Sequence, residues 1–321
     1  MLNLDLKDRK ILYQLDLNSR QSFHAIAKKV GLSKDAVIYR INKLQEEGII
    51  NSFHTIFDAG KLGYISFRLY IKLQNTTPQK EKEIIEFLKQ QKSIIWIASI
   101  EGNYDIGICV LAKTTENMNA LWQKLMLQYT GNIEKKLLVI FTKVLYYPRQ
   151  YILETKQNFH EFLIASQAQP ADIDDTDVAL LKLLAENARV SILELAKQLH
   201  ITPKTVTARI KALERKKVIV GYRTFFNIEK LGYQYFKVHI NLQNVTQEKY
   251  KQLKSYIKQH PNIIYDNEVL GGDDIELDVQ VKDMKDLRIF LDALKERFAD
   301  SIKNYQYMVF YQEHKYVFFP V

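Results

Sequence analysis

Cysteine is almost absent from this chain of 321 residues, because Cys109 is the only one. A single thiol excludes a disulfide framework, a zinc site built on CxxC pairs and a CxxC redox pair. Long apolar runs are missing too: the longest, LLVIFTKVLYY, contains Lys143, and the N-terminus is charged from Asp5 onward. We therefore expect a cytoplasmic protein with neither a signal peptide nor a membrane span.

The sequence also lacks the motifs of the common enzyme classes. It contains no glycine-rich phosphate loop, no nucleophile elbow and no metal-ligand spacing, so we predict no cofactor, no metal site and no catalytic residue. Acidic residues are outnumbered, since 46 Lys and Arg stand against 37 Asp and Glu and give a net charge of +9. In a chain of ordinary globular composition, this excess places polyanions first among the candidate partners.

The chain contains an internal duplication. The motif KLGY at 61–64 recurs at 230–233, a shift of 169 residues. At that shift residues 4–75 align with 173–244 without a gap, and about 25 of these 72 positions are identical. The duplication predicts two copies of about 150 residues each, joined by a linker at 155–172 that runs into the polar stretch SQAQPADIDD.

Each copy begins with a pattern of three short helices. In the first copy Ser22 and Ser33 stand as N-caps in front of apolar residues at helical spacing, and Gly31 ends the helix between them. Two short helices joined by such a turn predict a helix-turn-helix. The second copy repeats the pattern with Thr202 as a cap. His200 replaces the glycine there, so we expect a slightly altered turn.

The segments after the helices alternate between apolar and polar residues. IINSFHTIFD and VIVGYRTFFN predict strands of a wing that can contact phosphates, and the rest of each copy has the order βαββαβ. The fold class is therefore α+β, with two winged helix-turn-helix domains and two ferredoxin-like domains in tandem. Each sheet needs a cover for its free apolar face, and the other copy can supply it. The expected segments are helix-turn-helix 1–60, ferredoxin-like 61–154, linker 155–172, helix-turn-helix 173–229 and ferredoxin-like 230–321.

One set of residues in the first copy carries a family resemblance. The set is Asp5-x-x-Asp8, Ile11-Leu12, Arg20-x-Ser22, Ala27, Leu32-Ser33, Val37-x-x-Arg40-Ile41, Leu44-x-x-x-Gly48-x-Ile50 and Leu62-Gly63. It resembles the DNA-binding half of the Lrp/AsnC (feast/famine) transcription regulators, and the βαββαβ unit with Gly102-x-x-Asp105 resembles that family's ligand-binding RAM module. The resemblance implies double-stranded DNA as a partner and an amino-acid effector near this turn, at a dimer interface. The second copy departs from it with Lys217 in place of Gly48, and with GGDD in place of GNYD.

The third helix of each copy supplies candidate DNA contacts. Residues 202–217 hold six Lys and Arg against one acid, which suits counterion release from phosphates, and short polar or aromatic side chains can read base edges. The candidates are Ser33, Lys34, Ile38, Tyr39, Arg40, Asn42, Lys43, Thr202, Lys204, Thr205, Thr207, Arg209, Lys211 and Arg223. The alternative is a solvated helix face, and for Arg40 and Arg209 it is an ion pair with an acid of the first helix.

The turns GNYD and GGDD supply the candidate effector contacts that the resemblance implies. These are Gly102, Asn103, Tyr104, Asp105, Gly271, Gly272, Asp273 and Asp274. The alternative is a plain hairpin turn, since Gly and Asp are common turn formers. The acidic run at Asp273, Asp274, Glu276 and Asp278 is interpreted as solubilising charge on an edge strand, and not as a metal site.

These observations predict a sequence-specific DNA-binding transcription regulator whose promoter occupancy is tuned by an amino-acid-like molecule at the RAM interface. The RAM modules would associate with each other, either within one chain as a pseudo-dimer or in higher oligomers. One alternative is a sirohaem-decarboxylase-like enzyme, which resembles the family in both modules. Such an enzyme needs proton donors, yet no His coincides with another at the 169-residue shift. Another alternative is a regulator of other proteins that has lost DNA binding.

Overall fold

The computed structural model describes residues 4–153, 161–317 and 319. The expected boundary between 154 and 155 and the first part of the expected linker, 155–160, lie outside these residues. The first copy contains α1 (Leu6–Leu17), α2 (Phe23–Val30), α3 (Lys34–Glu46), β1 (Ile50–Phe57), β2 (Ile65–Leu73), α4 (Pro78–Lys89), β3 (Ile94–Glu101), β4 (Ile106–Ala112), α5 (Thr115–Tyr129) and β5 (Ile133–Tyr146).

The second copy repeats this order after one short strand. The strand is β6 (Phe162–Ala165), and the repeat consists of α6 (Asp175–Glu186), α7 (Ile192–Leu199), α8 (Pro203–Arg215), β7 (Ile219–Phe226), β8 (Gln234–Leu242), α9 (Gln247–Gln259), β9 (Ile263–Leu270), β10 (Ile275–Val281), α10 (Met284–Arg297) and β11 (Ile302–Tyr316). The α+β class, with two three-helix units and two βαββαβ units in tandem, is confirmed.

Side-chain caps set where the helices of both three-helix units begin. In each case a side-chain oxygen accepts a hydrogen bond from the backbone N–H three residues later. The capping residues are Asp5, Ser22 and Ser33 in the first copy and Asp174, Ser191 and Thr202 in the second. Because each cap satisfies an N–H that the helix itself leaves unpaired, the two units start their helices at equivalent positions.

The turn between the second and third helices has the same geometry in both copies. Gly31 has φ 66° and ψ 54°, and His200 has φ 54° and ψ 39°, so both residues lie in the left-handed region. The expectation of an altered turn at His200 is wrong. A histidine enters this region at modest cost, and the N–H of His200 still caps α7 by donating to the Ala196 carbonyl.

Strands β1 and β7 pair with each other in an antiparallel two-stranded sheet. His54 lies opposite Arg223 and Thr55 lies opposite Tyr222, so the pairing runs between copies. The expected wings are therefore corrected: the two strands form one ribbon that joins the helix-turn-helix units, and neither belongs to a separate wing hairpin. The alternating sequence predicted strands, but it contained no information about their partners.

The ferredoxin-like halves form one closed barrel. Its eight strands follow the order β2-β4-β3-β11-β8-β10-β9-β5, and β5 pairs again with β2 to close the ring. The long last strand of each copy makes the closure, since β11 pairs with β3 and β5 pairs with β9. Each copy therefore covers the free sheet face of the other, as expected.

Successive side chains of each strand point alternately outward, under the helices, and inward, into the barrel. Phe67, Leu69 and Ile71 of β2 pack with apolar residues of α4 and α5, whereas Arg68 and Tyr70 face inward. Strand β8 behaves in the same way, with its apolar residues under α9 and α10. The barrel interior is thus lined by side chains that would face solvent if each strand had only one buried face.

The described part of the expected linker is held against the rest of the molecule. Strand β6 pairs with β5, and the Ile164 carbonyl accepts a hydrogen bond from the N–H of Ala59. The Asp58 carboxylate accepts from both the N–H and the hydroxyl of Ser166. A short apolar segment, Phe162–Ala165, supplies the strand. None of the helices within the described ranges has the length and apolar character needed to cross a membrane.

Candidate functional site

The third helix of each helix-turn-helix unit buries one face and presents the other. Val37, Ile41 and Leu44 of α3 are buried, as are the equivalent Val206, Ile210 and Leu213 of α8. Helical spacing places these residues on one stripe. The candidates that the structure leaves exposed are Ser33, Lys34, Tyr39, Asn42, Lys43, Thr202, Lys204 and Lys211, and those that are half-buried are Ile38, Thr205 and Thr207.

The two exposed surfaces differ in charge. On α8, Lys204 and Lys211 stand where α3 has Asp35 and Asn42, and Arg215 and two further lysines follow at the end of the helix. The hydroxyls of α8 are already engaged within the helix: Thr205 contacts the Thr202 hydroxyl, and Thr207 donates to the Pro203 carbonyl. The α8 surface is the stronger phosphate-binding candidate because residues 203–217 hold six Lys and Arg against one acid, whereas the equivalent residues 34–48 hold three against three.

Arg40 and Arg209 form ion pairs with the first helix of their own copy. Arg40 Nη1 lies 2.8 Å from Asp5 Oδ2 and 2.7 Å from Asp8 Oδ1. Arg209 Nη1 lies 2.8 Å from both Asp174 Oδ2 and Asp177 Oδ1. The structure thus favours the ion-pair alternative for both arginines, and their guanidinium groups orient the third helix against the first.

Arg223 is wrongly predicted as a DNA contact. Its side chain is fully buried, and its Nη2 lies 2.7 Å from Asp16 Oδ1 and donates to the Tyr147 carbonyl. Asp16 is also fully buried and accepts from Arg149 Nη1 at 2.8 Å. The prediction for Arg223 fails because β7 pairs with β1, which turns the Arg223 side chain toward the interior. One acid thereby joins two cations from different parts of the chain.

Two further arginines hold the helix-turn-helix units together, and sequence reasoning did not assign them this role. Arg20 donates to the carbonyls of Ala188 and Val190, and Arg189 donates to those of Ser19 and Gln21. The contacts are reciprocal, as in a two-fold symmetric dimer. The signal was present, since the two arginines align at the 169-residue shift.

The GNYD and GGDD turns meet at one end of the barrel. Gln306 of β11 accepts a hydrogen bond from Asn103 and donates to Asp273 Oδ2 at 2.8 Å. Tyr104 is buried and stacks on Tyr70, with 5.4 Å between ring centroids. Each turn therefore lies at the boundary between the copies, where the resemblance places an effector.

The aspartates of these turns also have a structural role. Asp105 accepts from the N–H of Leu73 and from Lys72 Nζ, both at 2.7 Å. The equivalent Asp274 accepts from the N–H of Leu242 at 2.7 Å. The plain hairpin alternative thus explains both carboxylates. Positive φ at Gly102, Gly271 and Gly272 explains the glycines of the turns in the same way.

The acidic run of β10 is not on an edge strand, so this interpretation is corrected. Strand β10 lies between β8 and β9, and Glu276 and Asp278 are buried inside the barrel. Lys237 Nζ lies 3.1 Å from Glu276 Oε2 and 2.6 Å from Asp278 Oδ1. Burial by itself would raise the pKa of Glu276, but the nearby His239 and Lys237 lower that pKa to about 2.

A chain of polar contacts connects this cluster to the turns. Asp273 Oδ2 lies 2.8 Å from His239 Nδ1, and the hydrogen bond from His239 lowers the pKa of Asp273. The Tyr70 hydroxyl donates to Glu276 at 2.8 Å and lies 3.2 Å from His239 Nε2. In the portion of the chain that is described, no group of three or more His, Cys, Asp or Glu side chains is placed to hold a metal ion.

Two family models match the chain. The model described as winged helix-turn-helix DNA-binding matches residues 4–51 and again 173–220. The model described as the Lrp/AsnC ligand binding domain matches residues 236–317. These ranges coincide with the two three-helix units and with the second ferredoxin-like half.

The curated relatives include transcription regulators. The HTH-type transcriptional regulator Ptr1 of Methanocaldococcus jannaschii is 34% identical over 118 residues, which is 36% of this chain and 76% of that protein. The proline dehydrogenase transcriptional activator of Rhodobacter capsulatus is 31% identical over 117 residues, again 36% of this chain and 76% of that protein. Each alignment is shorter than one copy of the repeat.

A solved structure matches nearly the whole chain. The siroheme decarboxylase NirDL aligns over 97% of this chain and 93% of its own with a TM-score of 0.64 and 14% sequence identity. At this identity the likeness shows a shared fold alone.

Proposed function

Because the chain belongs to the Lrp/AsnC family of helix-turn-helix transcription regulators, we propose that both of its helix-turn-helix units bind one DNA duplex side by side. The observation that carries this proposal is the joining of the two units by the β1–β7 ribbon and by the reciprocal contacts of Arg20 and Arg189. Paired helix-turn-helix units read two half-sites on one face of the duplex.

The exposed residues of α3 and α8 are the proposed contacts. Lys204 and Lys211 would bind phosphates, while Tyr39 and Asn42 offer side chains to base edges. Since the two helices differ at nearly every exposed position, the half-sites should differ too. Selection of bound sequences from random duplexes should therefore yield an asymmetric operator, and a perfect palindrome would contradict the proposal.

Removal of two lysines tests the surface directly. Lys204→Ala combined with Lys211→Ala should weaken binding to the selected duplex and reduce the slope of log affinity against log salt by roughly 0.9 for each phosphate that is no longer bound. Lys80→Ala combined with Lys89→Ala on α4 is the matched control, because it removes the same charge far from α8. Unchanged affinity of the α8 variant at fixed salt, with a native circular dichroism spectrum, would exclude this surface.

We propose that an amino-acid-like effector binds near the GNYD and GGDD turns, at the barrel end where the copies meet. The bridge from Asn103 through Gln306 to Asp273 supports this placement. Amino acids should first be screened by thermal shift. The shift given by the best hit should be lost in Asp105→Ala and kept in Glu101→Ala, an exposed neighbour on β3. Equal stabilisation of Asp105→Ala and the wild type would place the effector elsewhere.

We propose that the chain is a monomeric pseudo-dimer in dilute solution. The barrel and the ribbon are both built from strands of the two copies. The strand pairing that two separate chains would make therefore forms within one chain. A linked pair has a local concentration in the mM range, which exceeds that of a second chain in dilute solution. Light scattering should give the mass of one chain at micromolar concentration, and a two-chain mass there would contradict the model.

Sirohaem decarboxylation is the second candidate, favoured by the whole-length likeness of fold alone. The interior histidine, His239, has Tyr70 at the equivalent position of the other copy, so the sequence contains no duplicated histidine site there. We propose that the chain does not carry out this reaction. Incubation with sirohaem followed by mass spectrometry should return the substrate unchanged, whereas a loss of 44 Da per carboxylate, about the mass of CO₂, would establish the enzyme.

A further inference from the structure

A cavity of about 180 Å³ lies at the other end of the barrel, away from the GNYD and GGDD turns. The beginning of β2 and the ends of β5 and β11 contribute to its wall, and so does the β1–β7 ribbon, through residues such as Ile56 and Phe225. Most of the wall is apolar or aromatic. The cavity is therefore shared between the barrel and the ribbon that carries both helix-turn-helix units.

One guanidinium group in this wall lacks an acidic partner among the described residues. Arg68 is 8% exposed, and neither its Nε nor its Nη1 has a hydrogen-bond acceptor. The group lies over the ring of Trp96, with 4.4 Å from Cζ to the centroid, and near that of Phe141 at 5.4 Å. The buried carboxylates of Asp278 and Glu276 attract this cation, but neither forms an ion pair with it within 4 Å, so the guanidinium is only partly stabilised.

Comparison with the second copy shows which acids Arg68 lacks. Lys237 occupies the position equivalent to Arg68, and directly opposite it on β10 is Asp278, 2.6 Å from Lys237 Nζ. Opposite Arg68 on β4 stands Cys109, which carries no charge at neutral pH because burial raises its thiol pKa. The second acid of the cluster, Glu276, aligns with Gly107. The first copy thus keeps the cation and lacks both of the acids.

The other charged groups that line the cavity are already satisfied. Arg149 is paired with Asp16, and the Asp278 carboxylate accepts from Lys237 and from the Tyr235 hydroxyl. Burial raises the pKa of Glu313, which favours its neutral form, and its carboxyl accepts from Trp96 Nε1 at 2.6 Å. Burial lowers the pKa of His54 well below its ordinary value, so this imidazole is neutral. The guanidinium of Arg68 is therefore the charge that a ligand would meet.

We propose that this cavity binds a small organic carboxylate with an aromatic or branched apolar body, whose carboxylate lies beside Arg68 as Asp278 lies beside Lys237. Guanidinium groups bind carboxylates through two parallel hydrogen bonds, and such charge-assisted bonds are among the strongest in proteins. The site is distinct from the proposed effector turns and does not depend on them.

Size and lining define the ligand class. An engineered apolar cavity of about 150 Å³ holds benzene, so a cavity of 180 Å³ accepts one ring or a branched aliphatic chain. Drug-sized ligands occupy roughly 300–1,000 Å³, which excludes a macrocycle such as a tetrapyrrole. A free amino acid fits the wall poorly, because its ammonium would need a carboxylate, and both acids in the wall already have donors.

The position of the cavity gives the ligand a path to the DNA-binding units. His54, Ile56 and Phe225 belong to the ribbon, and filling the space beside them would favour one placement of β1 and β7 over others. This regulatory consequence rests on the proposed DNA-binding function, whereas binding itself can be measured without DNA. Failure of the two proposals can therefore be told apart.

Calorimetry with phenylacetate as the probe tests the site. We expect one phenylacetate per chain, at least roughly tenfold weaker binding of the neutral isostere 2-phenylethanol, and weaker binding of phenylalanine. Trp96 and Trp122 are the two tryptophans, so in Trp122→Phe the fluorescence of Trp96 should report binding next to Arg68.

Substitutions in the wall give the decisive comparison. Cys109→Asp places a carboxylate opposite Arg68, as in the second copy, and should weaken phenylacetate binding roughly tenfold or more. Cys109→Asn, of similar size and without charge, should keep binding, and Arg68→Met should lose it. The proposal is wrong if phenylacetate fails to bind, if Cys109→Asp binds it as tightly as Cys109→Asn, or if phenylalanine changes the fluorescence of Trp96 at lower concentration than phenylacetate does. If Cys109→Asp does not fold, Arg68→Met and the fluorescence of Trp96 decide the matter.

Discussion

Some contacts are made by equivalent residues in both copies, whereas others exist in one copy only. Arg40 and Arg209 each bind two acids of their own first helix, and Arg20 and Arg189 each bind carbonyls of the other copy. Inside the barrel, by contrast, Lys237 has two acids within 4 Å, while Arg68 has none among the described residues. The duplicated contacts lie where the backbone has to be held, at helix ends and between copies.

The contacts made once include a buried structural cluster and residues of the proposed binding surfaces. Asp16, which joins Arg149 and Arg223, aligns with Ala185, and the α8 lysines align with Asp35 and Asn42. The two copies share one backbone arrangement but differ in the Asp16 cluster, in the barrel interior and on the third helices. A pseudo-symmetric frame can carry unlike sites because few residues are needed to maintain it.

The largest expected effect comes from removing a contact that exists once. Asp16→Ala makes the first copy resemble the second and leaves Arg149 and Arg223 buried without this anion. Loss of one partner from a buried ion pair costs about 3–5 kcal/mol, so urea unfolding should show a destabilisation of that size. Asp35→Ala, an exposed acid of the same copy, is the control, with an expected change within about 0.5 kcal/mol. A change below about 1 kcal/mol for Asp16→Ala would contradict this buried cluster.

The next effect is a pH dependence of stability, which arises from an acid that only the second barrel half contains. The folded pKa of Glu276, about 2, lies below its ordinary value of 4.5, so its contribution is present above about pH 4.5 and is lost as the pH falls toward 2. A shift of this size corresponds to about 3 kcal/mol. The destabilisation caused by Glu276→Gln in urea should therefore be large at about pH 6 and much smaller at about pH 3. A pH-independent difference, or the same trend for the exposed Glu101→Gln, would show that Glu276 is not held ionised.

A charge exchange on α3 sharpens the comparison of the DNA-binding helices. Asp35→Lys with Asn42→Lys gives α3 the two lysines of α8, and should steepen the salt dependence of DNA binding by roughly 0.9 for each additional phosphate that is bound. Glu83→Lys on α4 adds charge far from that helix and should leave the slope unchanged. If the control steepens the slope equally, net charge and not the α3 surface governs binding.

The smallest effect tests a contact that exists twice. Arg40→Gln and Arg209→Gln each remove a partly exposed arginine from two acids, and exposed ion pairs contribute roughly 0.2–1 kcal/mol. Both variants should lose at most about 1 kcal/mol, and the two losses should agree within a few tenths. Differential scanning calorimetry gives the comparison. A clear inequality would show that the two helix-turn-helix units are not held in the same way.

Local sequence predicted most of the helical structure and part of the site. Ser22, Ser33 and Thr202 cap helices where the pattern placed them, and the ion pairs of Arg40 and Arg209 were already one of two interpretations. These features depend on residues within one unit, where helical spacing fixes which side chains meet. The repeat itself predicted that one copy would cover the sheet of the other.

Features that depend on strand partners could not be predicted. An alternating strand has the same sequence pattern whether its polar face meets solvent or the interior of a barrel, so Glu276 and Asp278 were interpreted as solubilising charge. Arg223 was placed in a wing for the same reason, because nothing local indicated that β7 pairs with β1. The cavity beside Arg68 arises only when strands from both copies close the ring.

Closure of the barrel by β5 and β11 has a consequence for the growing chain. Strand β3 pairs with β11, which is synthesised about 200 residues later, and β5 pairs with β9 of the second copy. The first copy therefore leaves the ribosome with two open sheet edges. At roughly 5–20 residues per second, synthesis of the second copy takes on the order of 10–30 s. During that interval the edges can pair with those of a neighbouring nascent chain on the same message. Translation speed through the second copy thus sets how long each new molecule is open to such pairing.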